Sequence, residues 1–273
     1  MSLSTLFAVS AGIILALMIL LWLLSLALKN SSIVDIFWGT GFVIVAWLVN
    51  LSLSNTFLSI SAYETAMSVW RSWLMTILVS IWGLRLSIYI FMRNHGKPED
   101  FRYAKWREEN GPRWWWFSFF KVFLLQGALM WLIAAPVIAG QYPYYGPFPH
   151  FLDILGVLVW LIGFTFEAAG DWQLAQFKKD PSNKGKLMTT GVWQYTRHPN
   201  YFGDAAQWWG FYLLACAAGA WWTVFAPIGM TFLLMRVSGV ALLEKTMSHR
   251  PGYVEYAART NAFFPWFPKN KSK

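Results

Sequence analysis

LFAVSAGIILALMILLWLLSLAL, residues 6–28, decides the fold. It contains no charged residue, and at about 1.5 Å of rise per residue it is long enough to cross the roughly 30 Å hydrocarbon core of a bilayer. It is too long for the apolar part of a signal peptide, and no basic residue precedes it, so it reads as a first span and not as a cleaved leader. Working outward from this span, 5–28, further apolar runs fall at 36–54, 70–91, 115–139, 151–171, 205–219 and 221–238. The last two form a tight helical hairpin around Ala217-Ala218-Gly219-Ala220. The expectation is an all-α integral membrane bundle of seven transmembrane helices forming one domain over 1–273.

Composition agrees. Apolar residues make up 57% of the chain and charged residues 13%, against about a quarter charged in soluble domains. Twenty-two Phe and nineteen Trp suit a protein with two lipid–water interfaces to anchor. The lone cysteine, Cys216, excludes an internal disulfide and a cysteine metal cage, and in an apolar run it reads as a small buried hydrophobe.

Charge placement orients the bundle. The loops after spans one, three, five and seven hold Lys29; Arg93, Lys97, Arg102, Lys105, Arg107 and Arg113; Lys178, Lys179, Lys184, Lys186 and Arg197; and the tail Lys269, Lys271 and Lys273. The opposite loops, 55–69 and 140–150, hold no Lys or Arg, with Arg71 at the membrane edge. By the positive-inside rule the N-terminus lies outside and the C-terminus in the cytoplasm. The net charge of +9 is thereby explained by orientation and anionic lipid, without nucleic acid. Segment 97–113, KPEDFRYAKWREENGPR, mixes both signs and reads as a solvated amphipathic element at the interface.

Ionisable side chains inside spans cost a few kcal/mol each and point to a bundle interior or wet cavity. Here they are Asp35 at the head of span two, Arg85 in span three, Glu167 and Asp171 at the end of span five, and Asp204 at the head of span six. Glu167 and Asp171, four apart, share a helix face. Segment 171–204 is the densest in chemistry. Lys178, Lys179, Lys184, Lys186 and Arg197 supply positive charge, Asn200, Thr189 and Thr190 neutral donors, and Trp193, Tyr195 and Tyr201 rings. Such a set suits a phosphate-bearing, ring-containing cofactor, and equally a lipid phosphate or a sulfonium cofactor. Gly39-Thr40-Gly41 lacks the third glycine of a dinucleotide fingerprint and lies inside a span. The four histidines are scattered, so no metal site is expected.

TTGVWQYTRHPNYFGD (189–204) resembles the signature of integral membrane reductases of the steroid 5α-reductase and sterol reductase superfamily. SSIVDIFWG (31–39), WGLRLSIYIFMRN (82–94), EAAGDWQLAQFK (167–178) and EKTMSHRPGYVEYAARTNAFFPWFPK (244–269) extend the resemblance, closest to the bacterial branch, over most of the chain. The resemblance implies a seven-helix bundle in a bacterial inner membrane, with NADPH bound toward the cytoplasm. The implied reaction reduces a carbon–carbon double bond conjugated to a ketone, in a 3-oxo-4-ene steroid or similar lipid entering from the bilayer. No obligatory protein partner is implied. It places Asn200 and Asp204 on cofactor-contacting positions, Asp171 on an acid of the preceding helix and Arg85 on an arginine of the third span. Glu167 stands where steroid-specific members carry asparagine, and Lys178 replaces an arginine. Tyr195, Arg197, His198 and Tyr201 complete the cofactor set. On the catalytic side the family's Gln-Glu pair reads Val34-Asp35 and its third-span tyrosine aligns with Trp82, leaving Asp35 as acid and Tyr89 as a substitute phenol. Arg-His-Pro followed by Tyr and Gly also occurs in integral membrane S-adenosylmethionine-dependent methyltransferases acting on lipids or isoprenylcysteine, which is the alternative.

Overall fold

The computed structural model describes residues 1–57, 62–143, 148–237 and 239–269. Lys271 and Lys273 of the expected basic tail, and part of each expected outer loop, lie outside the described residues. Among the described residues the chain is helical without strands. It divides into two compact units, one of Met1–Asp153 with Leu214–Thr223, the other of Ile154–Leu213 with Val224–Lys273.

The first unit begins with α1 (Leu3–Leu28), α2 (Ile33–Phe57) and α3 (Ala62–Asn94). Ser2 caps α1 by accepting the Thr5 amide, and Lys29 in the left-handed conformation (φ 51°) closes it. Leu6, Ser10, Ile14, Met18, Leu21 and Ser25 are buried, while Leu20, Leu23, Leu24 and Leu28 are exposed. A helix apolar all round with one face buried is what a bilayer-facing span requires. Between α2 and α3 the backbones nearly touch: a Cβ on Gly39 would lie 2.2 Å from the Gly83 carbonyl oxygen. Thr40 beside it donates through its amide and hydroxyl to Ser87 Oγ, both at 2.9 Å. The glycines rejected as a nucleotide motif thus serve helix packing, where small residues admit close approach.

A second expectation changes. Segment 97–113 forms α4 (Phe101–Asn110), and it is docked on the α1–α2 turn where a solvated element was expected. Glu99 accepts both forks of Arg107 at 2.9 Å and also the Ser31 amide. Arg107 and the Trp114 indole both donate to Ser31 Oγ, and the Asp100 amide donates to Ser32 Oγ at 3.3 Å. The mixture of signs is internal pairing with the Ser31-Ser32 turn. The chain then runs through α5 (Trp114–Ser118), a π-helical turn at Phe119–Leu124, α6 (Leu125–Ile133) and α7 (Ala135–Gly140). Pro136 lies in the first turn of α7, where a missing amide hydrogen breaks the helix least.

At the opposite end of α3, Arg71 and Asp153 form a fork-to-fork pair with both contacts at 2.9 Å, each side chain 2% exposed. Nearby, Asn50 donates to Ser72, and Ser72 and Thr76 donate to Gln141 Oε1, all within 3.0 Å.

The second unit is built on α8 (Phe151–Lys179) and α9 (Pro199–Ala217), followed by α10 (Phe225–Phe232), α11 (Val240–Met247) and α12 (Tyr253–Arg259). On α8, Gly156, Gly163 and Gly170 recur every seven residues, and each meets α9, at Gly210, Gly203 and Pro199. A Cβ on Gly203 would lie 2.4 Å from both the Glu167 amide nitrogen and the Gly163 oxygen. This contact sets the polar residues of the two helices side by side.

Six helical stretches are long and apolar enough to cross a membrane: Leu3–Leu28, Ile33–Leu53, Val69–Asn94, Phe101–Gly140, Phe151–Lys179 and Trp221–Met247. They establish an integral membrane protein. The expected sixth span, 205–219, falls on α9, which is not among the six because Asn200, Asp204 and Gln207 lower its hydropathy.

Candidate functional site

Each unit holds a polar cluster that gathers residues singled out in the sequence. In the first, Asp35 sits in the opening turn of α2. Its Oδ1 accepts the Tyr103 hydroxyl at 2.6 Å, and its Oδ2 lies 3.1 Å from the Arg102 guanidinium. Tyr103 oxygen in turn accepts Gln126 Nε2 at 3.0 Å. Asp100 holds the other side of Arg102 at 2.9 Å. Burial works against the Asp100 charge, but hydrogen bonds from Arg102 outweigh it and hold the carboxyl below the usual range. Arg85 is half-buried in α3. Tyr89, one turn before Arg93, lies under that guanidinium at 5.8 Å, and the phenol at Asp35 belongs to Tyr103.

The second cluster follows from the α8–α9 approach. Glu167 and Asp171 on α8, and Asn200, Asp204 and Gln207 on α9, recur at helical spacing on facing surfaces. Gln207 Nε2 donates to Glu167 Oε2 at 2.6 Å and Asn200 Nδ2 to Asp171 Oδ1 at 3.2 Å. Glu167, Asp171, Asp204 and Gln207 are all buried. Each of two buried acids is thus offered an amide from the facing helix, the satisfaction that buried polar groups need. The loop between the helices is fixed by Gln173, which accepts the Val192 amide at 3.0 Å, and by the Trp193 indole, which donates to the Gly170 carbonyl at 3.1 Å. Lys178, with Lys179, ends α8 on an exposed turn.

The signature residues Arg197 and His198 are turned to the C-terminal segment. Arg197 forks onto Glu244 at 2.9 and 2.8 Å and donates to the Ala257 and Thr260 carbonyls. His198 Nε2 lies 2.9 Å from the same carboxylate, and its ring stacks on Tyr201 at 14°. Burial holds His198 below its ordinary value, against the pull of Glu244. Burial and the Glu244 hydrogen bond push the Tyr253 phenol up to about 12. The segment after α12 lies along the signature: Trp266 N–H donates to Tyr195 O at 2.9 Å, and Thr196 Oγ1 donates to Phe263 O at 2.8 Å. Arg197 and His198 therefore hold the signature's shape, and the exposed cations for an anionic ligand are the lysines after α8.

Five residues escaped the sequence reading: Arg102, Tyr103, Gln126, Gln207 and Glu244. Gln207 carried a signal, lying seven residues after Asn200 and three after Asp204 on one helix face. The other four meet partners through tertiary contacts that spacing does not encode. Among the described residues no group of three or more His, Cys, Asp or Glu is arranged to hold a metal ion.

A family model described as a protein of unknown function (DUF1295) matches residues 21–260. The chain belongs to this family. An uncharacterized protein of Schizosaccharomyces pombe is 26% identical over 277 residues, covering 90% of this chain and 75% of its own length. The enzymes named 3-oxo-5-alpha-steroid 4-dehydrogenase 1 of Mus musculus and Rattus norvegicus are each 28% identical over 106 residues, 39% of this chain. The chain spans about a third of the length of those two enzymes, 37%. No solved structure matches. The DUF1295 chain is thus an integral membrane protein related in part to a steroid dehydrogenase, which points to an enzyme.

Proposed function

We propose that this protein is an NADPH-dependent membrane reductase that saturates the double bond of a conjugated enone lipid, a 3-oxo-4-ene steroid or a compound of that kind. The observation that carries the reading is the similarity to enzymes named as 3-oxo-5-alpha-steroid 4-dehydrogenases. The donor set of the second unit fits the cofactor in kind. Asn200 and the buried acids Asp171, Asp204 and Glu167 suit ribose and amide groups, Tyr195 and Tyr201 offer rings, and Lys178 and its neighbours suit phosphates. Arg197 and His198 hold its frame through Glu244, and Arg85 of α3 is proposed as a cofactor contact on the strength of the family resemblance. NADPH, when bound, supplies the hydride; the chain must position the substrate ketone, stabilise the enolate and exclude water. Asp35 is the proposed acid, and Tyr89 of α3 is proposed to line the substrate path. The proposed placement is seven spans in a bacterial inner membrane, N-terminus outside, with α9 as the polar-faced sixth span and the cofactor site toward the cytoplasm.

The test is direct. Purified protein in detergent, titrated with NADPH and separately with S-adenosylmethionine, is followed by thermal stability, and 3-oxo-4-ene steroids are screened with product mass. NADPH raises the melting temperature and a product two mass units heavier appears. Stabilisation by S-adenosylmethionine alone would favour the methyltransferase and sink the reductase. Asn200→Ala and Asp204→Ala weaken NADPH binding; normal binding in both would remove them from the cofactor site.

A further inference from the structure

Asp35 is approached by two elements other than its own. From α4 come the Tyr103 hydroxyl at 2.6 Å on Oδ1 and the Arg102 guanidinium at 3.1 Å on Oδ2. From α6 comes Gln126, which donates to the Tyr103 oxygen and so fixes the phenol's orientation from behind. Asp100 is the remaining charged group, on the far side of Arg102. Glu99 and Arg107, the next pair along, are closed on each other. Exposure separates Tyr103 from the rest: it is only 3% exposed, while the Asp35, Asp100 and Arg102 side chains are 22%, 28% and 33% exposed. Asp35 is therefore a carboxyl that a substrate can reach, and Tyr103 stands behind it.

We infer that Tyr103 and Arg102 are positioning residues that set where Asp35 carries its transferable proton and stabilise the carboxylate left when it goes. This rests on the reductase reading above. The acid hydrogen falls to Oδ2, because Oδ1 is held by the hydroxyl of the buried Tyr103 and Oδ2 meets the more exposed Arg102. In the protonation step the Oδ2–H bond breaks and a C–H bond forms at the α-carbon of the substrate enolate. The electron pair stays on Oδ2, facing the Arg102 guanidinium, and solvent water restores the proton. The docked helix α4 thus supplies both groups that make Asp35 a usable acid. A neutral phenol alone or a lone buried carboxyl would hold the proton too tightly.

Two measurements on full-length protein in lipid nanodiscs decide the matter. In the first, the infrared carboxyl band that disappears in Asp35→Asn is titrated against pH. Tyr103→Phe moves its midpoint up by about one pH unit through loss of one hydrogen bond to a charged group. Arg102→Gln also moves it up, and Arg102→Lys, which keeps the charge, brings it back toward wild type. In the second, enone reduction is followed against pH. Tyr103→Phe lowers kcat at least tenfold and shifts the alkaline limb upward, with KM and NADPH affinity unchanged. An unmoved midpoint in both Tyr103→Phe and Arg102→Gln overturns the inference, as does an unmoved kcat and limb. If Tyr103→Phe does not fold, the Arg102→Gln and Arg102→Lys pair carries the decision. A wild type that reduces no enone, with the infrared shifts present, overturns the reductase reading instead and leaves the Asp35–Tyr103 linkage standing.

Discussion

Asp153 gives both carboxylate oxygens to Arg71 and one of them also to the His150 amide, all within 2.9 Å. With each side chain 2% exposed, removing one charge strands the other without water. Asp153→Asn is expected to cost about 3–5 kcal/mol, the usual penalty for breaking a buried pair, read as a lower melting temperature in detergent. The paired change Arg71→Met with Asp153→Leu should cost clearly less; an equal loss would mean that the site is not an ion pair in solution. Lys105 and Glu109, 3.9 Å apart and exposed, mark the contrast, contributing no more than about 1 kcal/mol. His198 gives a prediction with a sign. Burial holds its folded-state value below the unfolded one, with Glu244 pulling it up and Arg197 pushing it down. Its contribution is therefore present above the unfolded value of about 6.5 and is lost as pH falls through the lower folded value. Melting temperature should fall below pH 6.5, and His198→Gln should flatten that part of the curve; an unchanged slope would place the effect elsewhere.

Among the elements, α8 and α9 depend most on single atoms. Gly203→Ala places a methyl group 2.4 Å from backbone atoms of α8, which no rotamer change can relieve. The helices must separate, at a cost of about 1–3 kcal/mol, and the Gln207–Glu167 bond stretches with them. Under the proposed reductase function, loss of NADPH binding beyond the loss of stability is the expected readout, and Gly12→Ala, which meets no atom within 4 Å, is the control. The helices themselves were readable from 6–28 onward because bilayer crossing writes length and apolarity into the sequence. The acids Glu167, Asp171 and Asp204 were readable as well, because charge in an apolar run costs too much to be incidental. Tyr103 was not. An amphipathic 97–113 fits a solvated helix as well as a docked one, and only Ser31, Ser32 and Asp35 on a distant stretch tell them apart. The same limit hid Glu244, 47 residues from Arg197.

For the whole molecule, the basic loops predict orientation. In a Cys216→Ser background, Ser2→Cys should react with a membrane-impermeant maleimide on intact cells and Ser182→Cys only after lysis. The reverse pattern would invert the proposed topology. The make-up of the first unit has a further consequence. Ala139 of its fourth apolar run packs with Ala215 and Ala220, against Leu3 and Phe7 at the start of the chain. Ala215 and Ala220 are separated from the rest of their unit by the sixty residues 154–213, which belong to the other. During synthesis the N-terminal helices must therefore wait in the bilayer with this seam open. It closes only after residue 220 has left the ribosome. An early-made part of the protein is among its last to be finished, and a fragment ending at Asp153 should be recognised by quality-control proteases as incomplete.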